Sequence, residues 1–532
     1  MKNKYLDIHP PVFWPATILI VVFITITLLV GEPMEQVFVS MKDFITDQTG
    51  WLFILVVNLF ILFCIYVGFS KYGSIRLGGK DAKPEFSTSA WFAMLFSAGM
   101  GIGLLFWGVA EPVNHYANSP NHENFSPEAA QGAMNLVFLH WGLHAWGIYA
   151  VVALALAFFA YNKKMPLTIR SVFYPILGDR IKGWIGDVID VFAVLATLFG
   201  LATSLGLGVQ QLSGGLSFLF DIPNTPTTQV ILIASITAIA TISVVSGIDK
   251  GVKFLSEWNI RIAAIFLIFI LIVGPTLYIM RGFIQNVGTY MGDFIQVSTW
   301  TEAFRDAGWQ GDWTVFYWAW WISWSPFVGM FIARVSKGRT IREFVFGVLL
   351  IPALLTFLWM TAMGGSAIYL DLQSGTHELA NEIVSDSTTA LFVFIQQFPF
   401  SIVGSIISLF LVTSFFVTSS DSGSLVIDNI TSGGKLDSPV PQRIFWASAE
   451  GAVAAVLLVG GGLGALQTAA ITTGLPFLFI LIFMVYSLYK GLRSEYLQMK
   501  ELEQVSDKKR YEKKLEKSLI KREEKSKKSN DQ

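Results

Sequence analysis

The sequence predicts an all-α protein that crosses a membrane many times. Hydrophobic residues make up 53% of the 532 residues and charged residues only 14%, whereas about a quarter of a typical soluble domain is charged. Apolar runs of about 20 residues, the length needed to cross a hydrocarbon core of about 30 Å, recur along the chain. A membrane β-barrel would instead show short segments of alternating polarity. The chain is therefore predicted to be a polytopic helical membrane protein.

The apolar runs between polar breaks predict twelve transmembrane helices. These helices are expected at residues 11–31, 51–70, 88–109, 133–160, 187–217, 227–246, 256–282, 312–334, 343–370, 388–419, 442–461 and 468–491. A shorter amphipathic stretch near 284–306 is predicted to lie at the membrane surface between the seventh and eighth helices. The first run lacks a small-residue cleavage site, so it is predicted to be a retained helix rather than a signal peptide.

The distribution of basic residues gives the predicted orientation. Lysine and arginine concentrate in alternate loops and in the C-terminal tail, and the intervening loops near 110–131, 218–227, 371–388 and 461–468 contain none. The only basic residues in the loop near 281–312 are Arg281 and Arg305. Because basic loops stay on the cytoplasmic side, both termini are predicted to be cytoplasmic in a multi-pass protein of the cell membrane.

Several classes of function lack their sequence signals. The single cysteine, Cys64, has no partner for a disulfide. No P-loop is present, so ATP is not the expected energy source, and no catalytic constellation or nucleic-acid module is recognised. His140 and His144 lie one turn apart, but no third ligand follows at zinc-site spacing. We therefore expect neither an enzyme, nor a bound cofactor, nor a nucleic-acid partner.

The third predicted helix contains glycine at alternate positions, Gly99, Gly101 and Gly103. Small residues can serve close helix packing in membranes. However, glycine at every second residue does not stay on one helix face, and it makes local unwinding easy. Unwound backbone at membrane depth lines a cavity or is buried in protein, and secondary transporters bind substrates and ions at such breaks. Packing and a binding site both remain open here.

The tenth predicted helix carries the hydroxyl residues Thr418, Ser419 and Ser420. Such hydroxyls can bond back to their own helix, or they can supply oxygen ligands to a hard cation such as Na⁺. Asp421 follows directly, and its position favours the end of the helix, in the cytoplasmic loop.

Aromatic residues cluster in two of the predicted helices. They are Trp141, Trp146 and Tyr149 in the fourth helix and Trp318, Trp320, Trp321 and Trp324 in the eighth. In a continuous helix Trp141 and Tyr149, eight residues apart, would be nearly superposed. An interfacial aromatic belt is one interpretation, and it suits Trp309 and Trp313. The other is a cage for a quaternary ammonium, which is recognised through cation–π contacts of roughly 0.5–2 kcal/mol each.

Four segments together resemble the betaine/choline/carnitine transporter family: "GMGIGLLFWGVAEP", "HWGLHAWGIYA", "WAWWISWSPFVGMFIARVSKGRTIREF" and "TSSDSGS". The resemblance implies a leucine-transporter-type inverted repeat of helices 3–7 and 8–12, and a homotrimer. The implied organisation is an N-terminal segment with two peripheral helices (1–87), the first repeat (88–282), an amphipathic connecting helix (283–311), the second repeat (312–492) and a charged cytoplasmic tail (493–532).

The resemblance also implies a substrate site. The implied cage for a trimethylammonium group consists of Trp141, Trp146, Tyr149 and Trp321. Trp324 is implied to lie on or beside the substrate path, and Trp320 to flank the site. The implied contacts of the substrate carboxylate come from the backbone of Gly99, Met100, Gly101, Ile102 and Gly103.

Two sodium sites follow from the same resemblance. The first would use carbonyls near Ser97, Met100 and Phe415 with the hydroxyls of Thr418 and Ser419. The second would use threonines of the fifth helix with Phe327. Thr197 matches this pattern, but Leu201 stands one turn later, where a hydroxyl is expected. The residue details and stoichiometry of the second site therefore stay open.

The expected function is Na⁺-coupled uptake of glycine betaine as an osmoprotectant under osmotic stress. No lysine or arginine lies near Thr418 or in the third helix, where sodium-independent exchangers of the family place a substitute for the ion. A choline or carnitine carrier or exchanger is the nearest alternative, and a membrane sensor or channel is a distant one. The charged tail is predicted to be a surface helix or a disordered segment, either solvated in the cytoplasm or in contact with anionic lipid headgroups.

Overall fold

The computed structural model describes residues 6–99, 101–245, 249–304, 307–435 and 438–530. Throughout these ranges the chain forms helices, turns and one isolated antiparallel bridge between Arg76 and Thr340. The helices are α1 (Pro10–Val30), α2 (Pro33–Phe69), α3 (Thr88–Gly99), α4 (Ile102–Ala117), α5 (Pro127–Trp141), α6 (Leu143–Tyr161), α7 (Tyr174–Leu177), α8 (Trp184–Phe220), α9 (Pro226–Val245), α10 (Asp249–Val273), α11 (Thr276–Ser298), α12 (Phe316–Val335), α13 (Ile341–Met360), α14 (Ser366–Ser374), α15 (Glu378–Ser385), α16 (Ala390–Ile395), α17 (Ser401–Thr431) and α18 (Val440–Asn530).

The predicted fold class, an all-α polytopic membrane protein, is confirmed. Among the described residues nine helical segments are long and apolar enough to cross a membrane, or ten when the bent pair α3–α4 counts as one span. The count of twelve stays a prediction. The aromatic-rich α12 is not among the ten, and α18 is counted once although its backbone leaves helical geometry at Gly461 and Gly462.

Three sequence predictions about helix positions were wrong. The tenth helix, expected over 388–419, is interrupted at residues 396–400 and continues as α17 to Thr431, because Pro399 disfavours helical geometry in the residue before it and Phe400 has a φ of 62°. Asp421 therefore lies inside α17 with 5% exposure, not at a helix end. The amphipathic connecting helix is α11, which begins and ends about eight residues before the predicted stretch.

Two helix breaks shape the centre of the molecule. The axes of α3 and α4 differ by 66°, and Gly101 at the start of α4 has an extended backbone. A second break at Gly142 separates α5 from α6, where a Cβ atom would lie 2.4 Å from the carbonyl oxygen of Phe138. The predicted superposition of Trp141 and Tyr149 on one continuous helix was therefore wrong, because the non-helical backbone of Gly142 interrupts the helical periodicity between them.

Burial separates central helices from peripheral ones. Every residue of α6 from His144 to Phe159 is buried, as expected for a helix that is apolar on all sides and surrounded by protein. By contrast, only 28% of the apolar window of α1 is buried inside the protein, which leaves its other side chains for lipid.

A short loop pairing joins the segment before α3 to the connection between α12 and α13. The backbone N–H of Leu77 donates to the carbonyl of Arg339, that of Gly338 to Leu77, and that of Ile341 to Ile75, each over 2.9 Å. The Arg339 guanidinium also donates to the carbonyl of Phe86 over 2.7 Å. Backbone hydrogen bonds thus join residues 75–77 to the α12–α13 connection, and the Arg339 side chain extends the link to Phe86, just before α3.

The C-terminal tail is helical. Helix α18 continues from the apolar region through the charged segment to Asn530, and every side chain of residues 501–520 is exposed. This agrees with the predicted surface helix.

Candidate functional site: an aromatic box beside an oxygen-lined cavity

The four aromatic residues predicted to form a cage lie together in the structure. The ring centroids of Trp141 and Trp321 are 4.9 Å apart at 72°, those of Tyr149 and Trp321 are 6.2 Å apart, and those of Trp146 and Tyr149 are 5.6 Å apart. Each of the four side chains is at most 5% exposed. We call Trp141, Trp146, Tyr149 and Trp321 the aromatic box.

The other tryptophans of α12 have different surroundings. Trp320 stacks on Trp321 with centroids 4.7 Å apart and an interplanar angle of 14°, so it supports the box from outside. The ring of Trp318 stacks on that of His144 with centroids 5.1 Å apart, and Trp318 is 1% exposed, which makes it a packing residue. Trp324 contacts Phe327 with centroids 5.4 Å apart.

The glycines of the α3–α4 break lie against these rings. A Cβ atom on Gly99 would be 2.4 Å from Cζ2 of Trp146, and one on Gly103 would be 2.9 Å from Trp320 and 3.0 Å from Trp141. Glycine therefore lets the backbone approach the ring walls more closely than any other residue would. Met100 lies outside the described residues.

Gly101 and Ile102 complete the predicted segment. A Cβ atom on Gly101 would lie 3.7 Å from Trp324, so the break reaches that ring as well. The Ile102 side chain is 2% exposed and packs on α8, where a Cβ atom on Gly208 would be 2.9 Å from its Cδ1. Only the backbone of Ile102 is therefore available to a ligand near the break.

A cavity of about 110 Å³ lies beside Trp324, between α3, α10, α12 and α17. Most residues predicted for the first sodium site line it, together with others that the sequence did not indicate. The lining residues are Ser97, Ala98, Ser256, Ile260, Trp324, Phe327, Val328, Phe331, Phe415, Thr418, Ser419 and Ser422. The structure thus brings together hydroxyl groups from helices that are more than 300 residues apart in the chain.

Local hydrogen bonds orient the polar groups of this cavity. The Thr418 hydroxyl donates to the carbonyl of Ser414 over 3.0 Å, and it accepts from the amide of Asn259 over 3.4 Å. The Ser97 hydroxyl donates to the carbonyl of Met94 over 2.9 Å. Each hydroxyl proton is therefore directed to a carbonyl, which leaves oxygen lone pairs for a cation.

Only one of the two residues predicted for the second sodium site lines this cavity. Phe327 lines the cavity, whereas Thr197 is not among its lining residues, and the Thr197 hydroxyl donates to the carbonyl of Ala193 over 2.6 Å. Leu201 stands where a hydroxyl was expected and packs on α17, where a Cβ atom on Gly423 would be 2.3 Å from its Cδ1. The leucine fills the space between α8 and α17 with apolar atoms.

Sequence reasoning missed a buried polar cluster next to the box. Glu111 of α4 is 0% exposed, and its Oε2 accepts from the indole N–H of Trp141 over 2.6 Å and from the hydroxyl of Tyr317. Its Oε1 lies 2.6 Å from Nδ1 of His140 and 3.4 Å from Nε2 of His115. The signal in the sequence was a glutamate within an apolar span, since ionisable residues are costly there and usually functional.

Glu111, His115 and His140, which we call the acid–histidine cluster, bring three metal-ligating types within 4.8 Å of one another. Zinc accepts such a donor set. However, both carboxylate oxygens already accept hydrogen bonds from Trp141 or His140, and Nε2 of His140 lies 3.0 Å from the hydroxyl of Thr314. The oxygens of Glu111 and the ring nitrogens of His140 are therefore already engaged, whereas Nε2 of His115 is buried without a hydrogen-bond partner among the described residues.

Known proteins resemble this chain over nearly its whole length. Residues 11–497 match the family described as betaine/carnitine/choline family transporter. A glycine betaine/proline/choline transporter of Vibrio parahaemolyticus is 47% identical over 92% of this chain and 91% of its own length. A glycine betaine/proline/choline/ectoine transporter of the same organism is 51% identical, over 92% and 88%. The glycine betaine transporter OpuD of Bacillus subtilis is 46% identical, over 93% and 96%. These relatives are transporters and not enzymes.

Proposed function

Because the chain belongs to the betaine/carnitine/choline transporter family, we propose that it takes up glycine betaine, coupled to Na⁺, as a compatible solute. Relatives named glycine betaine transporters, at 46–51% identity, support the substrate. The observation that carries the proposal is the aromatic box beside a cavity lined by hydroxyl groups.

The aromatic box suits a trimethylammonium group. Such a group has no N–H to donate, so it is held by ring faces, each contributing about 0.5–2 kcal/mol in a desolvated site. The four rings come from α5, α6 and α12 and are nearly closed to solvent. The zwitterion also carries a carboxylate, for which the backbone of the α3–α4 break, at the ring walls formed by Trp146 and Trp324, is the expected partner.

The hydroxyl-lined cavity suits Na⁺. Hydroxyl and carbonyl oxygens are the ligands that hard cations prefer, and none of the lining residues carries a charge. A Na⁺ ion bound there would join Ser97 of α3 to Thr418 and Ser419 of α17. The ion would thereby stabilise the broken helix against α17 and raise the affinity for the zwitterion.

Coupling follows from this arrangement by linkage. If Na⁺ raises the affinity for betaine, betaine raises the affinity for Na⁺ by the same factor. Movement of one helix set against the other around a fixed midplane site then exposes the loaded site alternately to the two sides. Trp324, which contacts the break and lines the cavity, connects the two sites.

A choline carrier is the second candidate, because two of the relatives are named for choline as well as betaine. Choline carries the same trimethylammonium group and lacks the carboxylate, so the aromatic box accepts either compound. Competition between betaine and choline for uptake therefore decides between the two candidates, because only betaine has a carboxylate to bind at the α3–α4 break.

The remaining expectations concern the setting of the protein. We propose that the protein lies in the cell membrane with both termini cytoplasmic, an orientation that the alternation of basic loops supports. We further propose a homotrimer, as the family resemblance implies. The lysine-rich segment of α18, whose residues 501–520 are exposed, is expected either to stay solvated or to contact anionic lipid.

The test is transport into liposomes that contain the purified chain. Labelled glycine betaine, choline and carnitine are each supplied with an inward Na⁺ gradient or with K⁺ in its place, at two osmolalities. We expect betaine to accumulate only with the Na⁺ gradient. Sodium-independent uptake, or stronger competition by choline than by betaine, would overturn the proposal.

A pair of threonine variants isolates the sodium site. Thr418→Val keeps the shape of the side chain and removes the hydroxyl from the cavity, and it should raise the Na⁺ concentration for half-maximal uptake while leaving the rate at saturating Na⁺ largely intact. Thr413→Val is the matched control, because Thr413 also bonds back to its own helix, over 2.8 Å, and does not line the cavity. Equal effects of both variants would remove Thr418 from the site.

A further inference from the structure

We infer that Glu111 positions the aromatic box and thereby sets its affinity for a quaternary ammonium, an inference that rests on the proposed function. Glu111 is a positioning residue: it acts on a ligand through the rings that it holds. Its carboxylate, on α4, is fully buried, and its hydrogen bonds reach two other helices, α5 and α12.

The bonds of Glu111 end on rings that form or touch the box. Oε2 accepts from Trp141, a box residue, and from Tyr317, whose ring centroid lies 5.5 Å from Trp141 and 5.8 Å from Trp321. One carboxylate oxygen therefore fixes the positions of two neighbouring aromatic side chains. Charge-assisted hydrogen bonds of this kind are about twice as strong as neutral ones.

The helix break explains why Trp141 needs an external anchor. Trp141 is the last residue of α5, and Gly142 has non-helical backbone geometry. Helix ends leave backbone carbonyls without partners inside the helix, and here the indole N–H of Trp321 donates to the carbonyl of His140 over 2.9 Å. Glu111 holds the ring of Trp141 while Trp321 binds the backbone beside it.

The direction of the bond matters for the ligand. An aromatic ring is positive at its edge and negative at its face. The carboxylate binds the N–H edge of Trp141 and leaves the ring faces free for a cation. The fixed negative charge behind the ring also attracts a cation in the box, and this attraction is strong where water is excluded.

His140 completes the orientation of the carboxylate. Its Nδ1 lies 2.6 Å from Oε1 of Glu111 and its Nε2 lies 3.0 Å from the hydroxyl of Thr314. A neutral imidazole with its proton on Nδ1 satisfies both contacts, since Nε2 then accepts from the threonine. The histidine thus holds one oxygen of Glu111 and leaves the other to the tryptophan and the tyrosine.

The experiment is equilibrium binding of labelled glycine betaine, at saturating Na⁺, to the purified full chain. Glu111→Gln removes the charge and replaces one acceptor oxygen by a donor, and it should raise Kd at least about tenfold. Asp371→Asn is the matched control: this buried carboxylate also accepts from a tyrosine, Tyr116, but lies outside the box. Its Kd should stay within about twofold of wild type.

A double variant separates positioning from a general structural role. Trp141→Phe removes one of the two donors through which Glu111 holds the box, and Tyr317 keeps the other. The double variant with Glu111→Gln should therefore raise Kd by less than the product of the two single effects. Effects that multiply would overturn the inference, because Glu111 would then act elsewhere. Should Glu111→Gln fail to fold, Tyr317→Phe carries the test with an expected rise in Kd of at least about threefold, and an unchanged Kd refutes it.

The wild-type chain distinguishes the inference from the proposal on which it rests. If the wild type binds no trimethylammonium compound, the proposed function fails, and the inference fails with it. If the wild type binds betaine and Glu111→Gln binds it with the same Kd, only the inference fails.

Discussion

The glycines of the α3–α4 break allow a graded test of the aromatic box. Gly99→Ala would place a Cβ atom 2.4 Å from Cζ2 of Trp146, so the ring would have to retreat by about 1 Å to reach an ordinary contact of 3.4 Å. A ring displaced from the cation loses a contact of about 0.5–2 kcal/mol. That loss corresponds to a Kd for betaine raised about twofold to thirtyfold.

The matched substitution is Gly101→Ala. Its Cβ atom would lie 3.7 Å from Trp324, an ordinary contact, and it likewise replaces a glycine of the break by alanine, at a residue with an extended backbone. Gly464→Ala serves as an inert control, because no heavy atom lies within 4 Å of its added Cβ atom. We expect Gly101→Ala to raise Kd by less than about threefold.

Binding and stability are measured on the same preparations. Labelled betaine binding gives Kd, and thermal unfolding followed by fluorescence reports the overpacking, which should cost Gly99→Ala about 1–3 kcal/mol of stability. A wild-type Kd for Gly99→Ala would refute the contact with Trp146 as a determinant of binding. Equal losses at Gly99 and Gly101 would mean that backbone preference, and not the ring wall, controls binding.

Four further predictions follow from the described contacts. Trp321→Ala should raise the Kd for betaine at least about tenfold. Trp318→Ala, which loses stacking on His144 and an edge contact with His140 but no ring of the box, should leave Kd within about threefold when folded protein is compared. Chelation of metals with EDTA should leave betaine binding unchanged, because both carboxylate oxygens of Glu111 and both ring nitrogens of His140 already have partners within the protein; loss of binding would indicate a metal in the acid–histidine cluster. Leu201→Thr should lower thermal stability by about 2–4 kcal/mol, as scanning calorimetry would show, because the leucine packs at Gly423. Deletion of residues after about 500 should leave transport intact and change its dependence on osmolality, and complete loss of folding would contradict the exposure of that segment.

The presence of many long apolar helices was predictable because the bilayer imposes their length; their number, twelve in the prediction and nine or ten among the described residues, was not confirmed. The ends and breaks of the helices were less predictable. The break before α17 had a local signal in Pro399, yet the apolar residues on both sides suggested continuity. The break at Gly142 had only a glycine between two helical segments, and its conformation depends on contacts with Phe357 from a distant helix.

The candidate site, like the fold, was predictable only in part. The aromatic box was predicted from motif and resemblance, and its four rings do lie together. The role of Glu111 could not be read from spacing, because its partners His140 and Tyr317 lie 29 and 206 residues away in the chain. Its occurrence in an apolar span was a signal for function, but the identity of its partners required the fold.

The loop pairing between residues 75–77 and 338–341 has a consequence for dynamics. Its three backbone hydrogen bonds close one cooperative unit, so the amides of Leu77, Gly338 and Ile341 should exchange with deuterium together and slowly. If the start of α3 and the end of α12 open as a unit, any relative displacement of these helices is concentrated at the interrupted backbone around Gly101. The amides of Leu77, Gly338 and Ile341 would then exchange more slowly than the amides next to the break at Gly101.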